Sequence, residues 1–161
     1  MMKILVTSDT HGLYSHISNY IISNPDIDLL IHAGDGVEDV KNIAYETNID
    51  YHVVRGNNDF FTNIAYDKIL DINGYKIFLS HGHKYGVDIG YSNILKVAKN
   101  NGCDIAIHGH THIYYQKRED EVLLLNPGSP SLPRDNNPGF LIMELKEDLI
   151  SIKRIKISEV N

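Results

Sequence analysis

Three short apolar runs, Ile4-Leu5-Val6, Leu29-Leu30-Ile31 and Tyr51 to Val54, each stop abruptly on a polar cluster, and helical periodicity fills the gaps between them. Leu13, Ile17, Tyr20 and Ile21 recur at helical spacing until Asn24-Pro25 ends the pattern, and Val37 to Tyr45 places Val40, Ile43 and Ala44 on one side. Strand, helix, strand, helix, strand is the order of a parallel sheet with right-handed crossovers, so the chain is expected to be α/β. Beyond residue 60 the rhythm changes. Ala65 to Ile72 and Tyr75 to Leu79 flank Asn73-Gly74, a strong hairpin signal, so antiparallel strands join the parallel ones. A helix fits Ile89 to Ala98, with Ile94, Leu95, Val97 and Ala98 as its inner face and Asn101-Gly102 as its stop. Strands are expected at Ile105 to Ile107, Ile113 to Lys117 and Val122 to Leu125, with a last hairpin of Phe140 to Leu145 and Leu149 to Ile155. Four of the five prolines fall between Pro127 and Pro138, marking an ordered, irregular loop. With 161 residues and no linker or repeat, residues 1–161 read as one domain.

Composition excludes several functions. The balance of 15 Lys+Arg against 21 Asp+Glu gives −6 with no basic block, so duplex nucleic acid is not an expected partner. No apolar stretch is long enough to span a bilayer, and the first apolar run turns polar at Thr7-Ser8-Asp9, too early for a signal peptide. A cytoplasmic location is therefore expected. The lone Cys103 cannot form an internal disulfide, and at the head of an apolar strand it reads as a buried, inert thiol.

The nine histidines are distributed unevenly. Six of them, His11, His81, His83, His108, His110 and His112, lie in short motifs that also carry Gly or Asp and that follow apolar runs. In open α/β sheets, ligands bind outside the carboxyl ends of the strands. Five such places carry metal-competent side chains: Asp9-Thr10-His11, Gly34-Asp35-Gly36, Gly56-Asn57-Asn58-Asp59, His81-Gly82-His83 and His108-Gly109-His110-Thr111-His112. Each is weak alone. Asp9 could equally cap a following helix, and the two glycine-flanked segments could be plain turns. Spacing i, i+2 on extended chain would point Asp9 and His11 the same way. Three imidazoles in five residues have no good packing explanation, and all five motifs at strand ends together indicate a metal site. His16 is expected on a solvated helix face, His32 and His52 as structural groups, and His108 as a possible orienting group.

This ordered set, Asp9-x-His11, Gly34-Asp35, Gly56-Asn57-x-Asp59, His81 and Gly109-His110-x-His112, resembles the signature of the calcineurin-like metallophosphoesterase superfamily. The short length and the run Asn126-Pro127-Gly128-Ser129-Pro130-Ser131-Leu132-Pro133-Arg134 resemble its small single-domain phosphodiesterase branch. The resemblance implies a four-layer αββα sandwich of two mixed sheets with a binuclear metal centre. It places Asp9, His11, Asp35 and His112 on one ion and Asp35, Asn57, His81 and His110 on the other. Mixed imidazole and oxygen donors suit manganese, with nickel, iron, zinc or cobalt as alternatives. The implied reaction is in-line attack on a phosphate ester by a hydroxide shared between the ions, with no protein nucleophile.

One position departs from the family. Many members carry His after the first Asn of the third motif, where it is thought to protonate the leaving group, and this chain has Asn58. An amide cannot act as a general acid. Either the leaving group must be good, or another residue such as His83 supplies the proton, or Asn58 only hydrogen-bonds the substrate. Asn58 and His83 are thus the candidate substrate-contacting residues, and Asp59 is read as a backbone anchor or a partner of a ligand. The expected function is a metal-dependent phosphodiesterase acting on a small-molecule phosphate ester, possible as a homo-oligomer. The alternatives are a phosphomonoesterase and a non-enzymatic protein-binding scaffold like the retromer subunit of this fold, which ligand loss would distinguish.

Overall fold

A computed structural model describes residues 1–160. Strands β1 (Met2–Thr7), β2 (Leu29–His32) and β3 (Asp50–Val53) pair in parallel, with helices α1 (Ser15–Ser23) and α2 (Val37–Thr47) in the crossovers. The hairpin β9 (Gly139–Lys146) and β10 (Leu149–Lys156) returns from the far end of the chain and adds antiparallel to β1, giving the order β10-β9-β1-β2-β3. The second sheet, β4-β5-β6-β8-β7, contains β4 (Asp67–Ile72), β5 (Tyr75–Ser80), β6 (Ile105–Ile107), β7 (Tyr114–Glu119) and β8 (Val122–Pro127). Here β5, β6 and β8 are parallel, and α3 (Ser92–Asn100) joins β5 to β6.

The period-2 alternation of a strand explains the layers. On β1, Ile4 and Val6 face inward and pack with Ile77, Leu79, Ile105 and Ile107 of the other sheet, forming the core between the sheets. Leu5, between them, faces outward onto Ile17, Ile21, Val40 and Ile43 of α1 and α2. On the second sheet Phe78, Ala106 and Leu124 face outward onto Ile94 and Ala98 of α3. Helices thus cover both outer faces of two packed sheets, the expected four-layer αββα sandwich.

Several boundaries differ from the sequence expectation. Helix α1 begins at Ser15, leaving Leu13 exposed, and α3 begins at Ser92, leaving Ile89 exposed. In both places apolar periodicity extends to a side chain that faces solvent from the loop before the helix. The hairpin β4–β5 turns at Asn73-Gly74 as expected, both in the left-handed region. Cys103 is buried, and burial raises its thiol above the ordinary range.

Candidate metal centre

The carboxyl ends of β1, β2, β3, β5 and β6 deliver Asp9, Asp35, Asn57, His81, His110 and His112 to one place, and His11 joins them from the loop after β1. The convergence is tight. Asp9 Oδ1 lies 3.2 Å from His112 Nε2 and 3.7 Å from His11 Nε2, and the two imidazole nitrogens are 3.2 Å apart. Asp35 Oδ2 lies 3.6 Å from His11 Nε2 on one side and 3.4 Å from His81 Nε2 on the other. Asn57 Oδ1 is 3.0 Å from His81 Nε2 and 3.1 Å from His110 Nδ1. Donors on a tetrahedral ion with bonds of about 2.1 Å stand about 3.4 Å apart, so this spacing suits first-row metals.

Three further observations fit metal ions. Among the described residues Asp9 Oδ1 is fully buried and has no hydrogen-bond partner, which is costly for a carboxylate oxygen unless a cation satisfies it. His81 Nδ1 lies 2.7 Å from the Ala33 carbonyl, and His112 Nδ1 lies 2.7 Å from the Leu132 carbonyl. A carbonyl can only accept, so in both rings Nδ1 carries the proton and the Nε2 lone pair faces the cluster. Burial pushes the Asp9 carboxyl up, but contacts with His11 and His112 and the field of His81 outweigh it and hold it below the usual range. Burial likewise opposes ionisation of Asp35, yet His81 and Asn58 bring it down to about 2. Both carboxylates are therefore charged and able to bind cations at neutral pH.

The backbone achieves this differently from the extended chain expected at Asp9-Thr10-His11. Asp9, His11, Asp35, His110 and His112 all have positive φ, between 47° and 70°. Non-glycine residues rarely adopt this left-handed conformation, which is found disproportionately at functional sites. It turns each side chain off its strand end into the cleft. Glycines permit the close approach: a Cβ on Gly56 would meet Asp35 Oδ1, and one on Gly109 would meet Ser8 Oγ and Asp9 Oδ2.

Asp59 is a backbone anchor. Its Oδ1 accepts from Gly36 N and Val37 N, and its Oδ2 from Asp35 N and Gly56 N, at 2.7 to 3.0 Å. One carboxylate therefore fixes the Asp35 loop, the Asn57 loop and the N-terminus of α2, where negative charge is favoured. Asp9 is no helix cap, since α1 starts six residues later. Asn58 donates from its backbone N to Asp35 Oδ1 and from Nδ2 to Asp35 Oδ2, both at 2.8 Å, so it touches the cluster directly. The His83 ring stands 5.4 Å from that of His81 and 6.1 Å from that of His110, beside the donors and not among them.

The run Asn126 to Arg134 is visible in the sequence as a resemblance to the family branch, but its contacts with the donor loops are not. Ser129 Oγ donates to the Asp9 carbonyl and Ser131 Oγ to the Thr10 carbonyl. Asn126 Nδ2 donates to the Gly109 carbonyl and to Thr111 Oγ1. The proline-bearing segment is thus a clamp over two of the donor loops. Asp88 Oδ2 lies 3.0 Å from His110 Nε2, which leaves Nδ1 of that ring to face Asn57. The remaining histidines are structural or exposed. His16 faces solvent, His32 is buried between Thr10 Oγ1 and Gly34 N, and His52 is half-buried on β3. His108 bonds the Gly109 carbonyl and stacks near Tyr91 without reaching a donor.

A cavity of about 420 Å³ opens beside the donors, lined by His11, Asp35, Asn58, Asp59, Phe60 and Phe61. A larger one of about 580 Å³ lies among Met2, Leu29, Tyr51 and Asp71, with no donor cluster, and is a surface feature away from the chemistry.

Known proteins share these features. The model of the calcineurin-like phosphoesterase superfamily domain matches residues 2–148, which include every donor named above. A probable metallophosphoesterase of Bacillus subtilis is 31% identical over 154 residues, covering 94% of this chain and 89% of the relative. A phosphodiesterase of Methanocaldococcus jannaschii is 30% identical over 146 residues, covering 79% of this chain and 83% of the relative. Among solved structures, a conserved Streptococcus pneumoniae protein described as a predicted phosphoesterase has a TM-score of 0.85 at 24% identity, covering 99% of this chain and 92% of its own. Vps29 of Entamoeba histolytica, complexed with zinc, has a TM-score of 0.76 at 21% identity, covering 97% and 99%. The last two likenesses establish the fold. The family match over nearly the whole chain and the donors gathered at one set of strand ends agree: this chain belongs to the calcineurin-like phosphoesterase superfamily.

Proposed function

We propose that the protein is a metal-dependent phosphodiesterase. Asp9, His11, Asp35 and His112 would hold one divalent ion and Asp35, Asn57, His81 and His110 a second, with Asp35 shared. The observation that carries this reading is the orphaned, buried Asp9 Oδ1 within 3.8 Å of three imidazole nitrogens. Mixed nitrogen and oxygen donors suit a first-row divalent ion, with manganese as the first choice and nickel, iron, zinc or cobalt as alternatives. The bound ions would supply a water of lowered pKa and positive charge for the phosphoryl oxygens. Asp9 and Asp35 bring only two negative charges, so the loaded site remains attractive to an anionic ester in an acidic protein.

The chain's own residues hold and orient. Asp59 locks the two loops that carry Asp35 and Asn57, and the Ala33 and Leu132 carbonyls set the ring orientations of His81 and His112. Asn58 hydrogen-bonds Asp35 and can donate to a phosphoryl oxygen, but it has no proton to transfer. His83 flanks the donors and can contact the same oxygens. Because Asn58 supplies no acid, the reading favours substrates whose leaving group departs without full protonation. The diester preference draws further support from the phosphodiesterase relative.

Turnover of a chromogenic phosphodiester by chelator-stripped protein, with and without manganese and beside the matching monoester, tests the reading. Manganese-restored diester hydrolysis is expected. A far higher rate on the monoester would reassign the preference. No turnover with any first-row ion despite two bound would favour the second reading, a protein-binding scaffold, which the fold likeness to Vps29 keeps in view. Retention of every expected donor supports the enzyme.

A further inference from the structure

A second feature beside the donors is a pair of cations gathered on one aromatic ring. Tyr66, which precedes β4, has the Lys84 Nζ 3.7 Å and the Arg55 guanidinium carbon 4.8 Å from its ring centroid. The His83 ring lies against the same tyrosine at 5.5 Å and against His81 at 5.4 Å, so the group adjoins the metal donors directly. Arg55 follows β3, while His83 and Lys84 follow β5, so the group lies at the same strand ends as the donors.

Two like charges are gathered on one aromatic ring in a chain with an excess of acids. Among the described residues, neither Lys84 nor Arg55 has a carboxylate within ion-pair distance. The nearby acids are engaged elsewhere: Asp67 accepts the Tyr85 hydroxyl and Asp88 holds His110. His83 makes no hydrogen bond among the described residues, and its Nδ1 is a buried nitrogen without a partner. The ring face holds the cations in place through cation–π attraction without neutralising them, and Lys84 is exposed with its charge uncompensated.

We propose that Lys84, Arg55 and His83, gathered on Tyr66, form an anion subsite beside the metal centre that takes a second phosphoryl group of the substrate. The preferred esters are then those that carry a further terminal phosphate in addition to the diester that is cleaved. This rests on the phosphodiesterase reading of the adjoining donors. The two can fail separately.

The test uses a matched pair, thymidine 5′-(4-nitrophenyl phosphate) and the same compound bearing a 3′-phosphate, with the manganese-loaded full chain. The added phosphate is expected to lower KM by about tenfold or more, the effect of one charge-assisted hydrogen bond. In Lys84→Met the KM ratio should collapse towards one, in Lys84→Glu it should invert, and Lys84→Arg should restore it. Equal KM values for the pair in the wild-type chain, or the same ratio in wild type and Lys84→Met, would overturn the subsite. Equilibrium binding of thymidine 3′,5′-bisphosphate against thymidine 5′-phosphate reads the subsite without turnover. If neither ester is hydrolysed with any first-row ion, the phosphodiesterase reading falls. A wild-type preference for the bisphosphate that Lys84→Met abolishes would still sustain the subsite, and equal binding would end it.

Discussion

At the residue scale, the centre depends on a few groups with no substitute. Asp35 Oδ2 faces His11 on one side and His81 on the other, so Asp35→Asn should abolish hydrolysis and weaken both ions. Calorimetric titration with manganese checks this, and loss of one stoichiometric ion with the other retained would remove Asp35 from the shared position. Gly109→Ala would drive a methyl group into Ser8 Oγ and Asp9 Oδ2, and the backbone of a buried loop has little room to yield. Metal affinity is expected to drop at least tenfold while the circular dichroism of the sheets is kept. Asp59 contacts no donor side chain, yet four backbone N–H groups depend on it. In Asp59→Ala these partly buried donors lose their acceptor, at about 1–3 kcal/mol for each one left unsatisfied. Water will replace some of them, so a loss of about 2–4 kcal/mol in chemical denaturation is expected; a change below about 0.5 kcal/mol would show that the loops hold themselves.

At the element scale, the segment after β8 decides how well the donor loops are held. Ser129 and Ser131 hydrogen-bond the carbonyls of Asp9 and Thr10, and Leu132 orients His112. Groups of this kind typically change metal affinity by about 10–100-fold when removed. Ser129→Ala should therefore weaken manganese binding by about tenfold with a smaller effect on unfolding, and unchanged affinity would reduce the clamp to packing. From the sequence this segment reads as an irregular loop that resembles the family branch, and its holding role was not legible because it depends on contacts with residues about 120 positions away. The strands were more legible: β6 coincides with the expected run, most others extend one or two residues beyond theirs, β3 is shifted by one residue and β4 starts two residues later than Ala65. Helix starts were less so, since Leu13 and Ile89 continue an apolar period into loops where nothing covers them.

For the whole molecule, buried histidines couple folding to pH. Burial brings His32 and His108 down to about 4, against about 6.5 in an unfolded chain. Between these values the unfolded state binds more protons, so stability falls as pH drops from about 6.5 to 4, by up to about 1.4 kcal/mol per unit for each residue. His32 accepts from Gly34 N at Nδ1, and protonation would break that bond. An NMR titration should show its ring neutral until near pH 4, and an ordinary midpoint would contradict the burial argument. His11 and His81 shift the other way: the Asp9 carboxylate beside His11 raises it, and Asp35 and Asp9 raise His81 against its burial. Their share of metal-free stability is present in acid and lost as pH rises through those raised values. Metal binding requires the neutral rings, so manganese affinity and activity should decline as pH falls through those raised values. A flat activity profile down to pH 5 would argue against imidazole donors.

The sequence by itself determined the alternation of apolar runs and helical stretches, and with it the α/β class, since burial of period-2 and period-3.6 patterns is a local requirement. It also pointed to the candidate donors, through imidazoles and glycine-flanked carboxylates clustered at strand ends, although His108 of the same run of three turned out to be a buried structural group. Only the tertiary structure decided how they converge. The left-handed conformations at Asp9, His11, Asp35, His110 and His112 and the carbonyl partners of His81 and His112 come from neighbours distant in sequence. The same holds for the Asp59 anchor, the serine clamp and the cations on Tyr66. These are pairings between strand-end loops, and their energies exist only once the two sheets have packed and brought those ends together.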